Sequence, residues 1–160
     1  MEFTTADLCD QYSDELDVCE PLFRDYGGKR RFAGAVATIK CFEDNSRVRE
    51  LVAERGDGRV LVIDAGGSTR RAVVGDVLAQ SAADNGWSGF IVYGCVRDAA
   101  ALAQIPIGVR ALGTLPVKTD KRGEGQRDLP VRFAGAHFRP GDWVYADEDG
   151  IIVARRALAN

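Results

Sequence analysis

Two short, continuous apolar runs dominate the hydrophobic pattern, at residues 59–64 (Arg-Val-Leu-Val-Ile-Asp) and 89–96 (Gly-Phe-Ile-Val-Tyr-Gly-Cys-Val). Runs of this length without polar alternation are typical of strands buried on both faces of a sheet. Between them, residues 76–85 predict a helix that ends before Gly86. The predicted apolar stripe of this helix comprises Val77, Leu78, Ala82 and Ala83. The order strand–helix–strand predicts a right-handed βαβ unit.

Further elements are predicted on both sides of this unit. Residues 4–10 predict a short capped helix, and residues 33–42 predict a strand. Residues 45–55 predict a charged surface helix that ends at Gly56. A second short helix is expected over residues 98–103, directly after the second apolar run.

The second half of the chain has a different pattern. After Pro106, short apolar runs alternate with turns, at residues 108–113, 131–138, 143–146 and 151–154. Residues 118–128 are charged and contain glycine, and they predict an exposed loop. We therefore expect a compact α/β domain over residues 1–160, with a mixed sheet or small barrel and flanking helices.

Composition and charge exclude several classes of function. The formal net charge is −3 and no basic run is present, so direct nucleic-acid binding is not expected. No apolar stretch could span a bilayer, and the N-terminus lacks a basic signal-peptide region, so a cytoplasmic protein without membrane contact is expected. The four cysteines lack C-x-x-C spacing and are expected to be free thiols. The alternative, a catalytic cysteine with His137 as its base, has no local support.

Charged residues follow the two predicted buried strands, where ligands bind in α/β sheets. Gly75 and Asp76 begin the predicted helix after the first strand, and Arg97 and Asp98 follow the second. If these strands are parallel neighbours, the three charged side chains meet at one edge. The helix start offers backbone N–H groups to an anion, and Arg97 offers a fork matched to a carboxylate. Asp98 offers a hard oxygen ligand for Mg²⁺ or Mn²⁺, so a small oxoacid beside a divalent metal is the expected ligand.

Each of these features also has a purely structural interpretation. Asp76 can simply cap a helix, and the Arg97-Asp98 pair can be a surface ion pair. Gly66-Gly67 can be only a turn, because it does not complete G-x-G-x-x-G or a P-loop, and a methyltransferase therefore ranks low. His137 can be a satisfied strand residue. Residues 147–150 can form a hairpin turn, or they can supply a carboxylate to a neighbouring subunit.

The sequence resembles the RraA-like family, which contains the regulator of ribonuclease activity A and the 4-hydroxy-4-methyl-2-oxoglutarate aldolases. The matching segments run in order along nearly the whole chain, and they include Leu8-Cys9-Asp10, Glu20-Pro21-Leu22-Phe23, Ile39 to Asn45, Val62 to Ser68, Tyr93 to Arg97, and Gly150-Ile151-Ile152. The aldolase branch is marked by an Asp, twenty intervening residues and Arg-Asp. This chain has Asp76, residues 77–96 and then Arg97-Asp98, so the motif is intact.

The resemblance implies a β/α swivelling-type domain, assembled as a homotrimer or a dimer of trimers. It also implies a role for each matched residue. Asp98 would hold the divalent metal, Arg97 would bind the substrate carboxylate or carbonyl, and Asp76 would position a water that shuttles a proton. Backbone N–H groups from Gly75 through Asp76 and Val77 to Leu78 would bind the substrate.

The implied activity is a metal-dependent lyase that forms a pyruvate enolate, by retro-aldol cleavage of 4-hydroxy-4-methyl-2-oxoglutarate or by decarboxylation of oxaloacetate. In the longer aldolases a neighbouring subunit adds an acidic residue near the metal, and that residue does not map onto this sequence. Decarboxylation of the small oxaloacetate is therefore the more readily expected reaction. The regulator branch implies the alternative function, a protein-binding inhibitor of an RNA-degrading endonuclease of the ribonuclease E type.

Overall fold

The computed structural model describes residues 2–158, in which ten strands form one mixed sheet and two form a separate hairpin. The strands are β1 (Leu16–Val18), β2 (Arg24–Asp25), β3 (Phe32–Lys40), β4 (Val60–Asp64), β5 (Ala72–Val74), β6 (Gly89–Val96), β7 (Gly108–Thr114), β8 (Gln126–Arg127), β9 (Val131–Phe133), β10 (Ala136–Phe138), β11 (Trp143–Asp147) and β12 (Gly150–Ala154). The helices are α1 (Thr5–Tyr12), α2 (Ser46–Val52), α3 (Asp76–Asp84) and α4 (Ala99–Leu102), and a 3₁₀ turn covers Ser13–Glu15. The large sheet has the order β1-β12-β11-β3-β4-β6-β7-β2, with β5 added to β6 and β8 to β3.

Parallel strands form the centre of the sheet. The strands β3, β4, β6 and β7 pair side by side in parallel. The two apolar runs are β4 and β6, and their central residues, such as Val62 paired with Ile91, are completely buried. This confirms the prediction of strands buried on both faces. Since parallel neighbours end at the same edge, the segments that leave β4 and β6 emerge together.

Antiparallel strands complete both sides of the sheet. On one side β11 pairs with β3, β12 with β11, and β1 with β12, and on the other side β2 pairs with β7. Asp147 faces Gly150 across the tight β11–β12 turn, which confirms the predicted hairpin. The buried Asp147 carboxylate accepts hydrogen bonds from the Thr5 backbone N–H at 2.7 Å and the Thr5 hydroxyl at 2.6 Å. Asp147 therefore docks the first turn of α1.

Helix α3 differs from its predicted apolar stripe. Leu78, Ala79 and Ala82 are buried against the sheet, whereas Val77 is 73% exposed. The prediction was wrong for Val77 because the helix is rotated about its axis so that Ala79 faces the sheet. The small side chain of Ala79 permits the helix to approach the sheet closely. Val77 consequently stands on the surface in the first turn of the helix.

Three further segments differ from the sequence-based expectations. The run over 131–138 is a hairpin, reversed at Ala134 and Gly135, which both have positive φ. Strand β5 was not predicted, and it extends the sheet beside the end of β6. The predicted exposed loop at 118–128 contains the strand β8 and the buried Thr119, which is 2% exposed. Contacts with residues distant in sequence determine the structure of these segments, and the local sequence pattern does not indicate such contacts.

The remaining structural expectations concern the cysteines, His137 and membrane contact. All four cysteines are free, and three of them are buried. His137 lies in β10, where its backbone N–H donates to Asp17 Oδ2 at 2.9 Å and its ring Nε2 accepts from Arg132 Nε at 2.9 Å. His137 is thus a satisfied strand residue. Among residues 2–158, no helix is long and apolar enough to cross a membrane.

Candidate functional site

Two strand ends converge at the edge of the sheet. Strand β5 pairs with the last residues of β6, and the Arg97 backbone N–H donates to the Val74 carbonyl at 2.9 Å. This pairing places the start of α3 directly against the segment that follows β6. The Asp76 backbone N–H donates to Asp98 Oδ2 at 3.0 Å, and Arg97 Nε lies 4.0 Å from the same oxygen. The structure therefore brings Asp76, Arg97 and Asp98 together.

Gly75 provides the space for this close approach. A Cβ atom at this position would lie 2.7 Å from Asp98 Oδ2 and 3.3 Å from Arg97 Cγ. Its backbone angles, φ −131° and ψ −168°, are accessible to any residue. Glycine is therefore required here by space rather than by backbone conformation.

Asp98 has an unusual backbone and an ionised side chain. Its φ of 62° and ψ of 44° lie in the left-handed region, which aspartate adopts more readily than most non-glycine residues. Asp98 precedes α4 without capping it, because its carboxylate turns toward α3 instead. The hydrogen bond from the Asp76 backbone N–H and the charge of Arg97 lower the pKa of Asp98, although partial burial opposes this. A carboxylate held in this way is ready to bind a cation.

The first turn of α3 offers free hydrogen-bond donors. The N-cap residue Gly75 has no side chain to cap the helix. The Val77 and Leu78 N–H groups have no acceptor among the described residues, as is normal for a first helical turn. Together with the helix dipole, these donors favour an anion at this end.

A small cavity of about 140 Å³ opens between these elements. Its lining combines the predicted residues with basic and polar side chains from two other segments: Asn45, Arg49, Ala72, Gly75, Asp76, Val77, Leu78, Arg97, Asp98, Lys118 and Lys121. Burial lowers the pKa of Lys121, and the nearby charges of Arg49, Lys118 and Arg97 lower it further. Asp44 acts in the opposite sense, and the four basic side chains line the same cavity.

Sequence reasoning missed Asn45, Arg49, Lys118 and Lys121. The sequence does show several lysines and arginines in the charged segment after Pro116, which could have indicated an anion site. The same pattern is equally typical of a solvent-exposed loop. Asn45 and Arg49 belong to the start of α2, and nothing in their local pattern points to a ligand. Their placement depends on the packing of the segment around residue 120 against α2.

The family assignment rests on comparison with known proteins. A sequence model described as RraA-like, Aldolase/RraA, matches residues 5–153. The chain belongs to the RraA-like family. Two of its relatives are proteins named "Putative 4-hydroxy-4-methyl-2-oxoglutarate aldolase", from Laribacter hongkongensis and Alkalilimnicola ehrlichii. The first is 59% identical over 96% of this chain and 97% of its own length, and the second is 58% identical over 99% and 98%.

Two solved structures share the fold. A structure from Geobacillus kaustophilus, titled S-adenosylmethionine: 2-dimethylmenaquinone methyltransferase, has a TM-score of 0.94 and 51% identity, covering 98% of this chain and 97% of its own. A structure from Thermus thermophilis, titled the RNA-processing inhibitor RraA, has a TM-score of 0.96 and 42% identity, covering 100% of this chain and 97% of its own. The predicted family and the mixed α/β fold are both confirmed.

The glycine turn after β4 does not form a nucleotide cradle in this RraA-like chain. Gly66 and Gly67 have positive φ values of 67° and 71°. The Gly66 N–H donates to Asp64 Oδ1 at 3.0 Å, and the Gly67 N–H donates to the Tyr93 carbonyl at 3.0 Å. Because the chain itself uses these two N–H groups, neither is available to a phosphate, which agrees with the purely structural interpretation of Gly66-Gly67.

Among the described residues, four concavities are larger than the cavity at Asp98. One, of about 650 Å³, is lined by Asp76, Val77 and Gln80 of α3, and one, of about 480 Å³, lies beside Arg155.

The final two concavities lie away from the predicted residues. One, of about 370 Å³, is bordered by α1, Arg110 and the β11–β12 turn. The other, of about 740 Å³, lies at the ends of β3 and β4, beside Phe42 and Asp64. Volume alone would favour these, but the cavity at Asp98 combines an ionised carboxylate, unpaired helix N–H groups and several cations. Its chemistry makes it the best candidate for an active site.

Proposed function

We propose that this RraA-like chain is a divalent-metal-dependent lyase that forms a pyruvate enolate. Its reactions would be retro-aldol cleavage of 4-hydroxy-4-methyl-2-oxoglutarate and decarboxylation of oxaloacetate. The observation that carries the proposal is the convergence of Asp76, Arg97 and Asp98 on one small cavity. The names of the relatives that are 54–59% identical over nearly the full chain support the same activity.

The substrate oxoacid would bind through two kinds of donor. The free Val77 and Leu78 N–H groups suit the carboxylate at C1, because the helix start stabilises negative charge. The Arg97 guanidinium, whose side chain is 38% exposed at the cavity, suits the adjacent carbonyl oxygen. Both sets of donors stabilise charge that increases when the carbonyl becomes an enolate.

The residues present fit a hydrated divalent metal, Mg²⁺ or Mn²⁺. Within residues 2–158, no group of three or more histidine, cysteine or acidic side chains could hold a metal ion, so a closed cage made of protein ligands does not fit. Mg²⁺ commonly keeps several waters and takes one or two carboxylates with substrate oxygens. Asp98 would supply that carboxylate. When bound, the metal would supply Lewis-acid polarisation of the substrate carbonyl.

Asp76 would assist proton transfer from the substrate through a bound water. It is half-buried at the cavity, and its own backbone N–H is bonded to Asp98. In the aldol, a water held by Asp76 would take the proton of the C4 hydroxyl as the C3–C4 bond breaks. The electron pair of that bond moves to the carbonyl and forms the pyruvate enolate, and C3 is then protonated. In oxaloacetate the same bond breaks with loss of CO₂, and no hydroxyl proton must be removed.

The proposed biological unit is a cytoplasmic homo-oligomer, with a trimer as the expected form, in which each chain is a single RraA-like domain over residues 1–160. Val77 lines the cavity, and Val117 precedes the cavity residue Lys118. These two side chains are 73% and 44% accessible and suit burial against another copy. Such packing would exclude water from the site.

The decisive assay measures pyruvate release from both substrates, with Mg²⁺ or Mn²⁺ and with a chelator. We expect turnover that the chelator abolishes and the metal restores. Asp98→Ala should lose metal-dependent turnover, because the cavity then lacks its ionised metal ligand. Full decarboxylation of oxaloacetate by Asp98→Ala in the presence of Mg²⁺ would rule out the assigned role.

A second candidate function is inhibition of an endoribonuclease through protein binding. It is favoured by the 42% identity to the Thermus structure titled an RNA-processing inhibitor. The Asp98→Ala protein separates the two functions, since inhibition through a surface does not require the metal ligand. Absence of both binding and inhibition in the wild-type protein would remove this second candidate.

A further inference from the structure

The segment from Val117 to Glu124, called the strap here, is anchored along the rim of the candidate cavity. The Ala72 N–H donates to the Val117 carbonyl at 2.7 Å, and Arg71 Nη1 donates to the Lys118 carbonyl at 3.1 Å. The buried Thr119 hydroxyl donates to Asn45 Oδ1 at 2.9 Å. Strand β5 and the start of α2 therefore hold the first half of the strap.

Asp44 holds the second half of the strap. One carboxylate oxygen accepts from the Ser46 N–H at 2.9 Å and the Ser46 hydroxyl at 2.6 Å. The other accepts from the Arg122 N–H at 2.7 Å and the Glu124 N–H at 3.2 Å. Burial by itself would raise the pKa of this fully buried residue, but these hydrogen bonds outweigh it and lower the pKa to about 2. Asp44 is thus an ionised anchor between α2 and the strap.

These anchors direct two lysines to the cavity. Lys121 lies between Thr119 and Arg122, which are held by Asn45 and Asp44, so its backbone is restrained on both sides. Lys118 lies at the other end of the restrained segment, and both lysines line the cavity. Within residues 2–158, neither lysine lies within 4.0 Å of a carboxylate oxygen.

Arg49 completes a set of uncompensated cations. It lines the same cavity from α2, and it too makes no ion pair among the described residues, whereas the neighbouring Arg47 pairs with Glu50. With Arg97, four basic side chains face two acidic ones, Asp76 and Asp98. An anionic group on the ligand would balance this excess of positive charge.

We propose that Arg49, Lys118 and Lys121 recognise the second carboxylate of a dicarboxylate substrate, and that Asp44 is the positioning residue that holds the strap for them. This inference rests on the proposed function, and it names the feature that selects the substrate. The aldol keeps its distal carboxylate through cleavage, since that group leaves within the second pyruvate. In oxaloacetate the distal carboxylate departs as CO₂ and loses its charge. Cations that bind this carboxylate therefore stabilise the bound substrate more than the transition state, which slows decarboxylation. The strap therefore favours the aldol.

The test compares Asp44→Asn with Asp120→Asn. In Asp44→Asn, an NH₂ group replaces one of the two carboxylate oxygens. That group cannot accept hydrogen bonds, so either the two from Ser46 or the two from Arg122 and Glu124 are lost. Asp120 is on the same strap, but its side chain is 70% exposed and lies 3.8 Å from Arg71, so its variant makes the same chemical change without releasing the strap.

Binding is measured by calorimetry with Mg²⁺ present, using 2-oxoglutarate as an uncleavable dicarboxylate and pyruvate as a monocarboxylate. We expect Asp44→Asn to weaken 2-oxoglutarate binding about ten-fold, as for the loss of one charge-assisted contact, and to leave pyruvate binding unchanged. Turnover should show a raised KM for the aldol, while deuterium exchange into the pyruvate methyl group keeps its rate. Asp120→Asn should match the wild-type protein.

Two outcomes would overturn the inference: unchanged 2-oxoglutarate binding in Asp44→Asn, or equal weakening of both ligands. If Asp44→Asn does not fold, Thr119→Val removes the strap's bond to Asn45 without a buried charge change, and it should show the same selective loss. Lys118→Gln tests the recognition directly and should behave likewise. The binding measurements need no turnover, so an inactive wild-type protein would refute the lyase proposal while still deciding this one.

Discussion

Replacing Gly75 by Ala tests whether the close approach of α3 to Asp98 matters for catalysis. The added Cβ would lie 2.7 Å from Asp98 Oδ2, where ordinary contacts require about 3.4 Å. The carboxylate must therefore move by roughly 0.7 Å, which breaks its 3.0 Å hydrogen bond from the Asp76 N–H. Loss of a charge-assisted hydrogen bond costs about 1.5–3 kcal/mol, and we expect kcat/KM for pyruvate release to fall roughly ten- to hundred-fold.

Stability should fall by less than the lost hydrogen bond alone would cost, because alanine also lowers the entropy of the unfolded chain. Gly75 has backbone angles open to alanine, so the substitution adds no backbone strain and reduces the entropy of the unfolded chain, worth about 0.4–1 kcal/mol. Gly113→Ala is the matched control, because its Cβ would meet only Cys95 Sγ, at 3.9 Å. Thermal unfolding is measured beside pyruvate release. Full activity in Gly75→Ala, or a loss explained by a large fall in Tm, would refute the reasoning.

Two more predictions follow from the charged groups. Arg97→Ala should weaken substrate binding roughly ten- to hundred-fold, because a hydrogen bond from the charged guanidinium to the substrate carbonyl contributes about 1.5–3 kcal/mol, and KM with saturating Mg²⁺ measures this. Asp44 has a pKa lowered from 3.8 to about 2, so its stabilising effect is complete above pH 4 and is lost as the pH falls toward 2. Denaturant unfolding between pH 7 and pH 2 should therefore show a smaller loss of stability in Asp44→Asn than in the wild-type protein, and parallel curves would contradict this.

The strands and the motif spacing were predictable because they depend on local pattern. A run such as Val60 to Ile63 is apolar at every position, and only burial on both faces satisfies it. The separation of Asp76 from Arg97 matches one helix and one strand between two ends at the same edge of a sheet, and the 3.0 Å contact to Asp98 agrees with that geometry. The hairpin at residues 147–150 was predictable from its acidic and glycine residues.

The roll of α3 was not predictable in the same way. Both Val77 and Ala79 suit an apolar face, and the sequence ranks Val77 higher by hydrophobicity. The structure buries Ala79 and exposes Val77 because the close approach to the sheet admits only a small side chain there. Strand β5 was missed because three residues are too short to produce a periodic signal.

The sequence by itself determined the family, the buried parallel strands and the chemistry available at two strand ends. Only the tertiary structure decided which further side chains share their cavity. Asp44 and Arg122, for example, are 78 positions apart and meet because the strap folds back over α2. The physical reason is that burial of a short run is a local property of its residues. A charged residue in a loop can be solvated by water or can lie at a binding site. Contacts with residues distant in sequence decide which of the two occurs.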